Sequence, residues 1–187
     1  MRRSDDESIR SDSNQTRRTI VGAAVTLLAR NGRPASMDAV AEAAGVSKGG
    51  LLYHFRSQKD LAVAMCEDSA VRLRESVIRQ LTPADQRPGR LLRAYVRALL
   101  GEDSEAATAI MHFVALTVYR DFEEAQKVFE EDAQQWRNTF NQDGIESHVW
   151  LTVRLAAEGA VACLGTAYLD SVEREALRQH LFALSEA

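Results

Sequence analysis

Cysteine, proline and strand-like alternation are scarce in this 187-residue chain, and each scarcity excludes a class of protein. The two cysteines, Cys66 and Cys163, lie far apart, so the sequence has neither a disulfide framework nor the CxxC spacing of a zinc site. The three prolines leave room for long uninterrupted helices. No run alternates apolar and polar residues over the length of a strand. These absences favour an all-helical protein.

Segments that would enter or cross a membrane are also missing from the sequence. The polar N-terminus, Met1–Asn14, lacks the apolar stretch of a signal peptide. The most apolar run, Leu155–Leu169, contains Glu158 and is shorter than a bilayer requires. We therefore expect a cytoplasmic protein that has no membrane partner.

Signatures of catalysis are absent as well. The motifs HExxH, GxSxG, GxGxxG and the phosphate-binding P-loop do not occur. The four histidines show no metal-ligand spacing. The acidic runs Glu123-Glu124 and Glu130-Glu131-Asp132 are interpreted as solvated helix faces. The sequence predicts a protein that is not an enzyme and has no cofactor and no metal.

Charge is distributed unevenly, although the net charge is only -4. Residues 14–60 carry seven basic and three acidic side chains, whereas residues 61–187 carry 13 basic and 20 acidic ones. Phosphates respond to a local basic face rather than to the net charge of the whole chain. A basic segment on an acidic body therefore fits a protein that presents one face to nucleic acid.

Hydrophobic periodicity predicts about nine helices and an all-α fold. Residues 1–13 are polar and are predicted to be a disordered tail. A first helix ends at Asn31-Gly32, and Ser36, Ser47 and Ser57 are predicted N-caps of the next three, the last running to about Leu81. Further helices are predicted at Arg90–Leu100, Ala106–Tyr119, about 122–140, Glu146–Tyr168 and from Asp170 onward. The predicted division is a tail over 1–13, a small N-terminal domain over 14–60 and a larger helical domain over 61–187.

Three short helices within residues 16–55 are typical of a helix-turn-helix. Gly49 and Gly50 lie in the third helix, where each costs about 1 kcal/mol relative to alanine, so close approach to a DNA groove is a reason to keep them. Lys48, Tyr53 and His54 offer donors to DNA, and Leu52 and Phe55 are expected to face the core. On periodicity alone, a glycine-loosened connector between packed helices stays open as an alternative.

Residues 16–61 resemble the DNA-binding domain of the TetR/AcrR family of bacterial regulators. The resemblance is carried by Arg30-Asn31-Gly32, Ser36–Ala41, Ala44–Gly49, Leu52–Phe55 and Ser57–Leu61. It implies a helix-turn-helix domain followed by a larger helical domain that binds ligands and dimerises. It also implies a transcriptional regulator, expected to be a repressor, that binds a palindromic double-stranded operator as a homodimer and is released by a small-molecule effector.

The resemblance assigns roles to individual residues. Ser47, Lys48, Gly49, Leu51, Tyr53 and His54 would lie on the recognition helix. Lys59 would contact a phosphate, and Thr16, Arg17 and Ser36 would contact the DNA backbone at helix N-termini.

The larger domain offers two further predictions. Aromatic and methionine side chains predict a pocket for a small, largely apolar effector, and the candidates are Met65, Met111, His112, Phe113, Leu116, Tyr119, Phe129, Trp136, Phe140 and Trp150. Small residues and a leucine stripe on the last two helices predict a dimer interface, where the resemblance also puts it, with the candidates Ala157, Ala160, Leu164, Gly165, Leu177 and Leu181. Core packing remains an alternative for both sets. The other function class is a helical small-molecule-binding or interaction protein that does not use DNA.

Overall fold

The computed structural model describes residues 2–101, 114–115 and 117–186, and within these ranges the chain forms helices and turns but no strand. The all-α prediction is confirmed. The first five helices are α1 (Arg2–Asn31), α2 (Met37–Ala44), α3 (Lys48–His54), α4 (Gln58–Arg79) and α5 (Arg90–Leu100). The helical residues described at 114–115 and 117–119 belong to α6. They are followed by α7 (Glu123–Asn141), α8 (Ser147–Cys163) and α9 (Ser171–Leu184).

Local hydrogen bonds explain why the predicted N-caps begin helices. The hydroxyls of Ser36, Ser47 and Ser57 accept hydrogen bonds from the N–H of Ala39, Gly50 and Asp60 at 3.3, 3.0 and 3.1 Å. Each bond satisfies a donor that the first turn of a helix leaves without a partner. The capping box of Asp170 and Glu173 forms in both directions at the start of α9. These boundaries are confirmed.

Two helices differ in length from the sequence prediction. α1 begins at Arg2, in the segment predicted to be a disordered tail. Residues 1–21 contain no glycine or proline, so the packed turns around Ile20 can extend as helix toward the N-terminus. α8 ends at Cys163 instead of Tyr168, because Leu164 is extended and Gly165 adopts a φ of +74°. An αL residue ends an α-helix.

Buried apolar side chains form two clusters. The junction cluster combines the cores of α1–α4, including Ile20, Leu51 and Phe55, with Tyr119 of α6 and Ala125 of α7. The body cluster contains buried residues of α4, α5, α7, α8 and α9. α5 packs against α4, α8 and α9 and is buried on nearly every side. The small N-terminal helices therefore share their core with the start of α7.

A buried arginine fixes the start of α5 to its surroundings. Arg93 is 1% exposed, and its guanidinium donates to the Asp85 carboxylate at 2.8 and 2.9 Å. It also donates to the carbonyls of Pro88 and Ser185, at 2.9 and 2.7 Å. A buried charge must be paired and fully hydrogen-bonded to be tolerated. Arg93 therefore joins α5 to the connection that follows α4 and to the C-terminal residues.

Candidate nucleic-acid interface

The turn between α2 and α3 has helix-turn-helix geometry. Gly45 adopts a φ of +68°, and its N–H donates to the carbonyl of Glu42 at 3.1 Å. Val46 N–H donates to the carbonyl of Ala41 at 3.0 Å, and Ser47 then caps α3. The left-handed conformation favours glycine, because it has no Cβ to collide with the backbone. The turn therefore sets α3 against α2 while leaving one side of α3 uncovered.

α3 has one buried face and one exposed face. Leu51 and Phe55 are buried in the junction cluster, whereas Lys48, Gly49, Leu52 and Tyr53 are exposed, Tyr53 by 81%. The assignment of Leu51 as a DNA contact is wrong, and so is the expectation that Leu52 faces the core. Residues four apart share a helix face, so the burial of Phe55 brings Leu51 inward and turns the neighbouring Leu52 outward.

The two glycines of α3 have different surroundings. A Cβ at Gly49 would meet only the Ser47 hydroxyl, at 4.0 Å, whereas a Cβ at Gly50 would lie 3.2 Å from the same oxygen. The fold itself thus leaves room for a side chain at Gly49. Its exposure leaves the backbone of the first turn of α3 open to a surface outside the chain.

Three cations predicted to contact DNA each have a carboxylate partner. Lys48 Nζ lies 2.8 Å from Asp38 Oδ1, and Lys59 Nζ lies 2.6 Å from Glu124 Oε1 of α7. Arg17 lies 3.9 Å from Glu67, with its guanidinium 5.1 Å from the centroid of the Phe55 ring. All three cations remain about half exposed, so each can still approach a phosphate.

The predicted backbone contacts fall in two different settings. Ser36 is an N-cap, as expected. Thr16 and Arg17 lie inside α1 and not at a helix N-terminus, because α1 begins at Arg2. The free N–H groups that would attract phosphate at a helix start are therefore not available at Thr16 and Arg17. The Arg17 guanidinium, which is about half exposed, can still reach a phosphate from within α1, and the DNA contacts of Thr16 and Arg17 stay predictions.

The candidate effector residues are divided between the two clusters. Met65 and Tyr119 are buried in the junction cluster, where the Tyr119 hydroxyl donates to the Met65 sulfur at 3.6 Å, and Phe129 packs on its edge. Trp136, Phe140 and Trp150 belong to the body cluster. The ring centroid of Phe140 lies 5.4 Å from that of Trp136 and 5.6 Å from that of Trp150. Met111, His112, Phe113 and Leu116 lie outside the described residues. The six described candidates thus fall into two groups, three in or against the junction cluster and three in the body cluster.

Charged side chains missed by the sequence analysis lie beside these rings. Arg74 forms an ion pair with Asp132, and its guanidinium stands 4.9 Å from the centroid of the Trp136 ring. Glu158 accepts from Arg154 at 2.6 Å and from the Tyr95 hydroxyl at 2.8 Å. The interpretation of Glu130-Glu131-Asp132 as a solvated face is wrong for Asp132, which is 8% exposed. Its spacing of four residues from Trp136 was the available signal, since the two share a helix face.

The predicted dimer residues are placed mostly inside the chain. Ala157, Ala160 and Leu181 are buried in the body cluster, and Leu164 and Leu177 pack against it. Gly165 is exposed in the turn after α8. The buried members let α8 and α9 pack against the rest of their own chain, and the interface assignment of the set stays a prediction. The exposed apolar residues of this region are instead Leu151, Leu155, Tyr168 and Val172.

The described residues also bear on three other kinds of site: a membrane span, a metal site and a ligand cleft. No helix among them is long and apolar enough to cross a membrane. Residues 2–101, 114–115 and 117–186 also contain no group of three histidine, cysteine or acidic side chains placed to hold a metal ion. A cleft of about 610 Å³ opens beside Arg87, His148 and Glu186, and its described lining contains no predicted effector residue.

Family models match most of the chain. Residues 20–65 match a model of bacterial regulatory proteins of the tetR family, and residues 89–186 match a model of a tetracyclin repressor-like C-terminal domain. The second match alone spans more than half of the chain. No curated protein sequence matches this chain.

Solved structures share the fold at low sequence identity. A transcriptional regulator from Rhodococcus sp. Rha1 superposes with a TM-score of 0.74 at 18% identity, covering 90% of this chain and 93% of its own. A TetR-family member from Streptomyces coelicolor A3 gives 0.68 at 21% identity, covering 90% and 97%. The multidrug binding protein EbrR, complexed with ethidium, gives 0.65 at 20% identity, covering 90% and 97%.

Proposed function

The chain belongs to the TetR family of bacterial regulatory proteins, and we propose that it is a cytoplasmic repressor that binds a palindromic operator as a homodimer. Residues 14–60 would form the DNA-binding domain, and residues 61–187 would form the domain that binds an effector and dimerises. The observation that carries this proposal is the exposed face of α3, where Lys48, Gly49 and Tyr53 lie opposite the buried Leu51. This face is suited to the major groove, because it offers donors and an accessible backbone.

Binding of duplex DNA over a series of salt concentrations tests the DNA-binding part. Selection from random duplexes should return a rough palindrome with half-sites about 34 Å apart or somewhat more. Lys48→Ala should weaken binding to the selected operator. Lys127→Ala is the matched control, because Lys127 pairs with Glu123 on α7 instead of facing DNA. Binding that is absent at all salt concentrations would favour the alternative of a helical ligand-binding protein that does not use DNA.

The proposed dimer uses the outward faces of α8 and α9. Leu151 and Leu155 of α8 and Val172 of α9 are exposed apolar residues on neighbouring helices that pack together. A second copy would cover these residues across a two-fold axis and form a bundle of four helices. Two copies of α3 would then face successive major grooves on one side of the duplex.

The proposed effector is a small, largely apolar molecule that binds in the larger domain. Two features support it: the similarity in fold to a multidrug binding protein and the buried aromatic side chains Trp136 and Phe140 of α7. Trp136 and Trp150 provide a fluorescence signal for screening ligands. Linkage requires operator DNA to weaken effector binding by the factor by which effector weakens operator binding, typically about 5–150-fold. Equal affinities with and without saturating operator would rule out release by that ligand.

A further inference from the structure

The ion pair between Lys59 and Glu124 connects the two parts of the chain. Lys59 lies in the first turn of α4, directly after the helix-turn-helix, and Glu124 lies in the first turn of α7. The 2.6 Å distance between Nζ and Oε1 is a direct charge-assisted contact. The hydrogen bond from Lys59 also lowers the pKa of the Glu124 carboxyl, so this group is ionised at neutral pH.

The local packing holds Glu124 close to Lys59. Its Oε2 is buried, and no described residue donates a hydrogen bond to it. Phe122, directly before α7, packs against the ring of Tyr119 with centroids 5.6 Å apart. Tyr119 in turn contacts Met65 of α4 through its hydroxyl. The start of α7 is therefore fixed to the same core that positions α3 and the first turn of α4.

Neighbouring charges distinguish this pair from the adjacent pair within α7. Glu123 has its own partner within α7, since its Oε1 lies 3.1 Å from Lys127 Nζ, and it is more exposed than Glu124. Glu124 reaches across to another helix and to a side chain of the proposed DNA-binding face. A carboxylate that holds this ammonium takes one of its three donors and offsets its charge, so it competes with a phosphate oxygen although the lysine stays half exposed.

We propose that Glu124 competes with DNA phosphate for Lys59, so that the first turn of α7 lowers operator affinity whenever it holds the lysine. The proposal rests on the proposed function, because it needs Lys59 to contact DNA. It identifies α7 as a route from the larger domain to the DNA-binding face. A movement that draws the start of α7 away from α4 would free Lys59 for phosphate, and a movement that closes the contact would withdraw it.

The test compares Glu124→Gln with Glu123→Gln on the selected operator at matched salt concentration. Both variants remove one negative charge from the same helix turn, so both reduce general repulsion of DNA equally. Partly exposed ion pairs contribute up to about 1 kcal/mol, so Glu124→Gln should bind about two- to five-fold more tightly for each protomer than Glu123→Gln. In a Lys59→Ala background this difference should disappear, and the slope of log K against log salt should flatten by about 0.9 for each lost contact.

Each outcome has one interpretation. Equal affinities of the two glutamine variants would show that Glu124 does not compete for Lys59. Weaker binding by Glu124→Gln would show that the carboxylate positions the lysine for DNA, the reverse of the proposal. A difference between the two glutamine variants that persists in the Lys59→Ala background would show that Glu124 acts on DNA binding through another residue. Wild-type protein that binds no duplex DNA would instead overturn the proposed function, and this inference with it.

Discussion

At the scale of single residues, the pairing of buried charges decides how the body responds to acid. Asp85 accepts from Arg93 at 2.8 and 2.9 Å and from Arg87 at 3.1 Å. These two guanidinium groups hold the pKa of the Asp85 carboxyl well below its usual range. An ionised carboxylate whose pKa is lowered in the fold contributes stability that is fully present above the unfolded pKa of about 3.9. This contribution is lost as the pH falls through the folded-state pKa.

We therefore predict that Asp85→Asn lowers the urea midpoint of unfolding at pH 7. The difference from wild type should shrink only below about pH 4, where the Asp85 carboxylate of the unfolded chain begins to be protonated while that of the folded chain stays ionised. Asp121→Asn is the control, because Asp121 is 90% exposed, and its midpoint should match wild type. A difference that stays constant from pH 7 to acid would show that ionisation of Asp85 is not its source.

The two cysteines provide a second prediction at this scale. Cys66 is fully buried, and this burial raises the pKa of its thiol to about 12, whereas Cys163 is only partly buried. A thiol-specific reagent at pH 8 should modify one cysteine per native chain and two in urea, since the reactive form is the thiolate. Cys163→Ser should abolish the native reaction. Two fast thiols in the folded wild-type protein would contradict the burial of Cys66.

The raised pKa of Cys66 also has a consequence for stability at high pH. Its protonated thiol stabilises the fold fully below the unfolded pKa of about 8.5. This contribution is lost as the pH rises from there toward the folded value of about 12.

At the scale of helices, the first turn of α3 separates folding from binding. A Cβ at Gly49 has no neighbour closer than 4.0 Å. We predict that Gly49→Ala leaves the free energy of unfolding unchanged or raises it by up to about 1 kcal/mol, so the melting temperature does not fall. The same variant should bind the operator more weakly, because its methyl group projects from the exposed face of α3. Gly22→Ala in α1 is the control, since no atom lies within 4 Å of its added Cβ. Unchanged operator affinity for Gly49→Ala would show that the missing side chain at Gly49 is not needed for close approach to DNA.

Helix ends could be predicted from sequence more reliably than helix faces. The caps at Ser36, Ser47 and Asp170 depend on residues at most three positions away, so the sequence alone contains the signal. The choice between Leu51 and Leu52 depends on which side of α3 meets the other helices. Two adjacent leucines in a seven-residue helix do not specify that side.

At the scale of the whole molecule, the proposed dimer depends on the exposed residues of α8 and α9. We predict that Leu155→Glu produces monomers with unchanged helical content, because a charge at a buried interface position lacks a partner. Ile78→Glu is a close control, since Ile78 of α4 and Leu155 are 55% and 56% exposed. Light scattering should give the monomer mass only for Leu155→Glu. Dimers of that variant would move the interface elsewhere.

The sequence by itself determined the features that short-range chemistry controls. Capping serines, glycine turns and apolar periodicity predicted the order of helices, and α5 has the predicted bounds Arg90–Leu100. The motif in residues 16–61 predicted the family that the domain models show. Caps, turns and periodicity are read within a few residues, and the family motif is a continuous stretch of sequence, so none of them needs knowledge of distant contacts.

Only the tertiary structure decided which surface each helix buries and which distant charges meet. The small residues Ala157 and Ala160 suit close packing against either the same chain or a second copy, and their burial in the body cluster selects the first. Glu124 and Asp132 looked like members of solvated runs, yet Lys59 and Arg74, 65 and 58 positions earlier, pair with them. Such pairs arise when α7 packs along α4, and periodicity within either helix carries no information about that alignment.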